Sequence, residues 1–230
     1  MFVKNVKLRV LFLIAALAAP GALIALSRAD LGRANPPTDA TPLSDEDADQ
    51  HVADSIERLK EFAIKEWPTL GLQLRDLPRT VWLASYFAEY ETLEDAARAA
   101  RLVVHINVQD VTFNGSGAVT TATVLDSWKG DVSGQLMFAQ NGSVFRSPDG
   151  VVYIIEAEVA PLLIPGDEAV VFLRDPKKGD VDLPQVIIVT GWYKVANGRV
   201  SEVAEGLSSV RELVGVSLED LRSRVDLALK

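Results

Sequence analysis

Three hydrophobic patterns divide the chain. Residues 10–26 (VLFLIAALAAPGALIAL) form an almost unbroken apolar run, residues 52–101 carry apolar positions at helical spacing, and from residue 102 the apolar positions alternate. These are the patterns of a membrane-directed segment, of amphipathic helices and of half-buried strands. In the helical part, Ser44 followed by Asp45, Glu46 and Asp47 reads as an N-cap with acids in the first turn, where the helix dipole favours them. Val52, Ile56, Leu59, Phe62 and Ala63 then share one face, and Pro68 predicts an end after Trp67. Residues 81–90 predict a second helix, with Trp82, Tyr86, Phe87 and Tyr90 on one packed face; stacking on a ligand is the alternative use of those rings. Thr92-Leu93-Glu94-Asp95 caps a short helix over DAARAAR.

At Leu102 the period changes to two. LVVHINVQDVTF sets Val104, Ile106 and Val108 against His105, Asn107 and Gln109, Asn114-Gly115-Ser116-Gly117 supplies a hairpin turn, and AVTTATVLDSW returns antiparallel. Further strands are predicted at residues 135–140, 151–159, 168–173 and 186–195, with Asn197-Gly198 turning into 199–203. Turns rather than helices separate them, which argues against a parallel doubly wound sheet and for a small closed or partly closed barrel that hides its edges. Ser217 caps a last helix whose Leu218, Leu221, Val225 and Leu229 form one stripe, expected to pack on the barrel.

Charge and flanks give the apolar run its meaning. Lys4, Lys7 and Arg9 precede it, the order of a secretory signal, and Ser27-Arg28-Ala29 places small residues where a signal peptidase would cut after Ala29. The run is 17 residues long, shorter than the roughly 20 that cross a bilayer core, and Pro20-Gly21 breaks it late. A retained anchor with the N-terminus in the cytoplasm is the second reading, because the more positive flank stays inside. Both place the remainder outside the cytoplasm, secreted or periplasmic after cleavage, or tethered to the membrane. Residues 30–43, with three prolines, read as an extended linker.

The net charge is −9, and loss of residues 1–29 removes Lys4, Lys7, Arg9 and Arg28 but no acid, leaving −13. That sign argues against a nucleic-acid binder and against attraction to anionic lipid. The chain holds no cysteine and two histidines, which removes disulfides, thiol chemistry and zinc sites built from Cys and His. No cofactor and no metal site are expected.

Little catalytic vocabulary remains. His51 lies on a helix and His105 in a strand, and no GxSxG is present, so a Ser–His triad has no support. His105 and Asn107 on the polar side of their strand are candidates for a binding groove, with a solvated or satisfied strand histidine as the plainer reading. Trp128 and Trp192 at strand ends are candidates for a ligand surface, with core packing as the alternative. Glu156 and Glu158 share one strand face and, with Asp167, are the carboxylates available to a hydrolase; the wet side of a strand is their plainer use.

Asp126-Ser127-Trp128-Lys129-Gly130-Asp131, then Pro165-Gly166-Asp167 leading into Val171-Phe172-Leu173, then Thr190-Gly191-Trp192, resemble in order a group of uncharacterised bacterial exported domains. Their barrel pattern is similar to the netrin-like domain of tissue metalloproteinase inhibitors, a relative of the OB fold. The resemblance covers residues 100–203 and implies architecture: an OB-like five-stranded barrel used as a binding surface. Those inhibitors place an N-terminal cysteine on the target metal, and a chain without cysteine lacks that route. The expected fold class is α+β: an antiparallel OB-like β-barrel with N-terminal helices and a C-terminal helix, preceded by an N-terminal signal or anchor helix. The expected organisation is 1–29 signal or anchor, 30–43 linker, 44–101 helical segment, 102–205 barrel and 206–230 C-terminal helix. The expected function is a non-enzymatic exported or tethered module binding a protein or cell-envelope component, the alternative being a carboxylate-dependent extracytoplasmic hydrolase.

Intact mass and membrane partitioning of the natively expressed protein test the N-terminal reading. A soluble extracytoplasmic species lacking residues 1–29 is the expected outcome of cleavage; a full-length species in the membrane fraction identifies the retained anchor.

Overall fold

β-branched and apolar alternation produces the two longest strands, and their hairpin organises the molecule. The computed structural model describes residues 54, 56–82, 90–114, 117–157, 161–176, 182–187, 190–203 and 208–230. The apolar run, the linker, the Ser44 cap, Tyr86, Phe87 and Glu158 lie outside the described residues. The strands in chain order are β1 (Arg79–Trp82), β2 (Leu102–Phe113), β3 (Ala118–Lys129), β4 (Gly134–Gln140), β5 (Ser143–Arg146), β6 (Val152–Ala157), β7 (Glu168–Arg174), β8 (Gln185–Val186), β9 (Trp192–Ala196) and β10 (Arg199–Val203). Among the described residues, 56–61 are α-helical ahead of the first turns, and further helices are α1 (Leu93–Ala99), α2 (Ser208–Arg211) and α3 (Leu218–Ala228).

The main sheet runs β10-β9-β7-β2-β3-β4-β8, and β8 also pairs with β7, so β7-β2-β3-β4-β8 close into a five-stranded barrel. All its pairs are antiparallel except β4 with β8, which meet in parallel at Ala139 and Gln185. The second edge of β7 is shared: Glu168 to Val171 take β9, while Leu173 and Arg174 take β8. A second sheet, β1-β6-β5, contains a parallel β1–β6 pair.

The interior is filled by Val104, Ile106, Phe138, Val171, Leu173 and Trp192, and the second sheet adds Val144 and Ile154 to the same cluster. Phe62 and Leu74, from the turns before β1, complete that core. The register of β2 against β3 shifts between Val108 and Asp110. Such a bulge resets side-chain parity, so Val104, Ile106 and Val108 are buried on one side of it and Val111 and Phe113 on the other.

A separate cluster covers the outside of the barrel. Val103 of β2 and Val170 and Phe172 of β7 pack with Leu93 and Ala96 of α1, Leu221 and Val225 of α3, and Tyr193. β2 and β7 are therefore buried on both faces along this stretch. Burial pushes the Tyr193 phenol above its ordinary range, with nearby Glu94 adding to the shift, and its hydroxyl donates to the Thr190 carbonyl at 3.1 Å. Both long helix caps form as the sequence indicates: Thr92 Oγ1 accepts from the Asp95 N–H and Ser217 Oγ from the Asp220 N–H, each at 3.1 Å.

The α+β class and the closed barrel agree with the sequence pattern, but several elements differ. Residues 81–82 belong to strand β1, not to a helix over 81–90, because they complete a parallel ladder on β6. The predicted strand over 186–195 is two strands, β8 and β9, broken at Thr190-Gly191. The helix before Pro68 passes through a π turn, Phe62–Glu66, and Pro68 sits inside a 3-10 turn, Trp67–Thr69, instead of following a clean α-helical end. A wholly antiparallel sheet gives way to parallel pairs at β4–β8 and β1–β6.

Glu156 is not on a wet face. It is 7% exposed, its Oε2 takes a hydrogen bond from Arg79 Nη1 at 2.7 Å and another from the Leu162 N–H at 2.9 Å, and so ties β1 to the strap after β6. Breaking a buried ion pair leaves an uncompensated charge. Glu156→Ala is expected to lower unfolding free energy by about 3 kcal/mol in urea titration, with Glu156→Gln losing less because its amide oxygen still accepts from Leu162.

Candidate functional site

The end of β3 carries a run of specific side-chain bonds. Each residue of Asp126-Ser127-Trp128-Lys129-Gly130 has a structural partner. The Trp128 indole is 8% exposed and packs in the outer cluster, and its Nε1 donates to Asp126 Oδ2 at 3.1 Å. Arg222 Nη1 of α3 bonds the same oxygen. Lys129 Nζ donates to the carbonyls of Ala97 at 3.0 Å and Arg98 at 2.8 Å, capping the C-terminal end of α1 with a positive charge. Desolvation there draws the Lys129 ammonium below its ordinary range. Ser127 Oγ donates to the Gly130 carbonyl at 2.7 Å, and Gly130, at φ +81°, lies where a Cβ would overlap the Leu102 side chain.

These bonds shape a cleft of about 470 Å³ lined by Asp126, Trp128, Gly198, Ser217, Leu218, Glu219 and Arg222. One wall is the end of β3, another the first turn and a half of α3, and the third is the Asn197-Gly198 turn between β9 and β10. That turn is tied to α3 by the Leu218 N–H donating to the Gly198 carbonyl at 2.9 Å. Residues 215–217 lie along the outer edge of β10, through Val200 N–H to Val216 O at 2.9 Å, Gly215 N–H to Val200 O at 2.8 Å and a bridge between Arg199 and Ser217. The cleft is thus framed by regular elements and is open to solvent on its outer side.

The four candidates end in different places. Trp128 lines the cleft. His105, opposite Asp126 in the β2–β3 ladder, is 9% exposed, with Nε2 2.8 Å from Glu168 Oε1. It is a satisfied, covered histidine: its ladder neighbour Val170 and, two residues back, Val103 lie in the cluster under α1 and α3, on the face that alternation assigned to solvent. Asn107 is half-buried, and its Oδ1 accepts from Gln109 Nε2 at 2.6 Å. Trp192 is 1% exposed inside the barrel, apart from the other three, and its Nε1 has no partner among the described residues. Among the described residues no three metal-ligating groups come together, and no helix is long and apolar enough to cross a membrane.

Asp167, which with Glu156 makes up the carboxylates of the hydrolase reading among the described residues, accepts from the Ile164 N–H at 2.9 Å and lies 3.4 Å from Lys194 Nζ. It closes the Pro165-Gly166-Asp167 turn, which docks on the β2 bulge through Val108 N–H to Asp167 O and Gly166 N–H to Val108 O. Asp126, Gly198, Glu219 and Arg222 were not singled out as site residues by their sequence context. Only the turn at Gly198 and the cap at Ser217 leave a local signal; the Asp126–Arg222 pair spans 96 positions.

No protein-family model matches the chain, and no curated protein matches it.

The Asp126 and Arg222 side chains are 40% and 45% exposed, so solvent screens their pairing. A double-mutant cycle on Asp126→Asn and Arg222→Ala, followed by urea denaturation, is expected to give a coupling of about 0.5–1 kcal/mol.

Proposed function

We propose that the chain is a non-enzymatic binding module, exported or held at the membrane by its N-terminal segment, whose OB-like barrel presents the Trp128 cleft to a protein or cell-envelope component. The observation that carries this reading is the construction of the cleft. Trp128 and the first turns of α3 are fixed by the Asp126 bonds, the Ser217 cap and the Gly198 tie, so the surface is organised before anything binds.

The barrel order supports the OB-like part. Taken in sequence, its five strands lie first-second-third-fifth-fourth and back to the first, a Greek-key closure of the kind OB folds have, and the netrin-like resemblance points to the same architecture. The resembling motifs serve bracing: DSWKG grips α1 and α3, and PGD docks on the β2 bulge. Of the hydrolase alternative's Glu156, Glu158 and Asp167, the two that are described, Glu156 and Asp167, hold backbone N–H groups and cations of the scaffold. The acidic balance disfavours nucleic acid, and the positive flank before an apolar run supports export.

Photo-crosslinking in the native host tests the site. A photoreactive residue replacing Leu218, at the cleft, is expected to give a discrete adduct that the same residue replacing exposed Leu72 does not give. No adduct from either position, or the same adducts from both, overturns the assignment.

A further inference from the structure

The geometry points to the chemistry of the cleft's occupant: a lysine or arginine side chain of a protein partner, its aliphatic stem laid along Trp128 and Leu218 and its cationic head at Glu219 and Asp126. This rests on the binding-module reading and names the partner surface for that same cleft.

Three observations carry it. First, the walls divide by polarity. Trp128 and Leu218 give an apolar floor, and Gly198 contributes no side chain at a position where even a Cβ would meet nothing within 4 Å. An alkyl stem fits such a floor, with the part of Trp128 left open at the cleft and the half-buried Leu218 beneath it.

Second, the charges at the rim sum to negative. Asp126 Oδ2 is used by Trp128 and Arg222, but its Oδ1 has no partner among the described residues, and the Glu219 carboxylate has none at all among them. Arg222 is already bonded to Asp126 and lies 3.9 Å from Asp226. Of the neighbouring charged groups, Arg199 donates to the Gly215 carbonyl, and Asp220 adds a further negative charge while accepting from Ser217. An anion entering at the start of α3 would meet Glu219 and Asp220, so the helix end, already complemented by its own acids, does not favour one.

Third, the net charge of −9 supplies a field that draws basic partners from a distance.

The test uses the full-length chain, nitrogen-15 labelled and held in a zwitterionic micelle, titrated at low salt with tetralysine amide. The chain has four tryptophans, and their indole N–H resonances report on separate places. The expected result is a saturable shift confined to the Trp128 indole, absent with ammonium chloride and with tetraglutamate, and weakened about fivefold in Glu219→Gln, the weight of one exposed ion pair. Glu219 faces solvent at the first turn of α3, so this variant keeps the fold, which the unchanged amide spectrum verifies. The inference is overturned by an unmoved Trp128 signal at millimolar peptide, by an equal response to tetraglutamate, by shifts spread over all four indoles, or by an unaltered affinity in Glu219→Gln. A failed titration alongside a persisting adduct at position 218 sinks the cationic occupant alone. Loss of that adduct sinks the binding-module reading beneath it.

Discussion

Burying both faces of β2 and β7 is the constraint on which the rest of the structure depends. A small barrel needs only inward-facing apolar side chains, but here Val103, Val170 and Phe172 point outward and must also leave water. Full burial of side chains of this size is worth about 1.5–3 kcal/mol each, so the cover over them is a large part of what holds the domain together. That cover consists of α1, α3 and the β9–β10 hairpin, and its two helices need anchoring because α1 and α3 are only 7 and 11 residues long and helices this short are marginal alone. The end of β3 supplies the anchors, Lys129 to the last carbonyls of α1 and Asp126 to Arg222 of α3. The cleft is what remains open beside the second of these anchors.

The fold was legible where the signal was local. The β2–β3 hairpin reads directly from alternation and turn residues, and the caps at Thr92 and Ser217 form the bonds their sequences suggest. What failed was what tertiary pairing decides. Val81 and Trp82 open a stretch, 81–90, whose ring spacing fits a helix, and it is their parallel ladder with β6 that makes these two residues strand. The break between β8 and β9 is set by a backbone approach so close that a Cβ on Gly191 would overlap the Ile187 carbonyl, and no local pattern reports that. Alternation likewise identified which side of β2 His105 occupies but not that a second layer of structure covers that side.

The site was less legible than the fold, for the same reason. Trp128 stood out as a large aromatic at a strand end, but its significance comes from Asp126, Arg222 and Gly198, which the chain brings in from three separate stretches. Glu156 shows the reverse error: two carboxylates spaced for one strand face suggested solvent or chemistry, whereas Arg79, 77 positions away, makes Glu156 part of the interior. Both cases turn on pairing between distant charges, which composition and spacing do not encode.

The division of β7's outer edge sets how this barrel comes apart. β9 grips the first half of that edge along four register positions, while β8 holds the last two residues and touches β4 at a single pair. The circle is therefore joined by a seam one short strand wide, extended by the Ala139 N–H donating to the Pro184 carbonyl at 2.8 Å and the Ile187 N–H to the Phe172 carbonyl at 3.0 Å. Few ladder bonds close the circle, yet Ile187 directly after β8 is buried in the outer cluster with α1 and α3, so parting the barrel at this seam would also draw a side chain from beneath the helical cover: closure of the barrel and seating of the helices are one event.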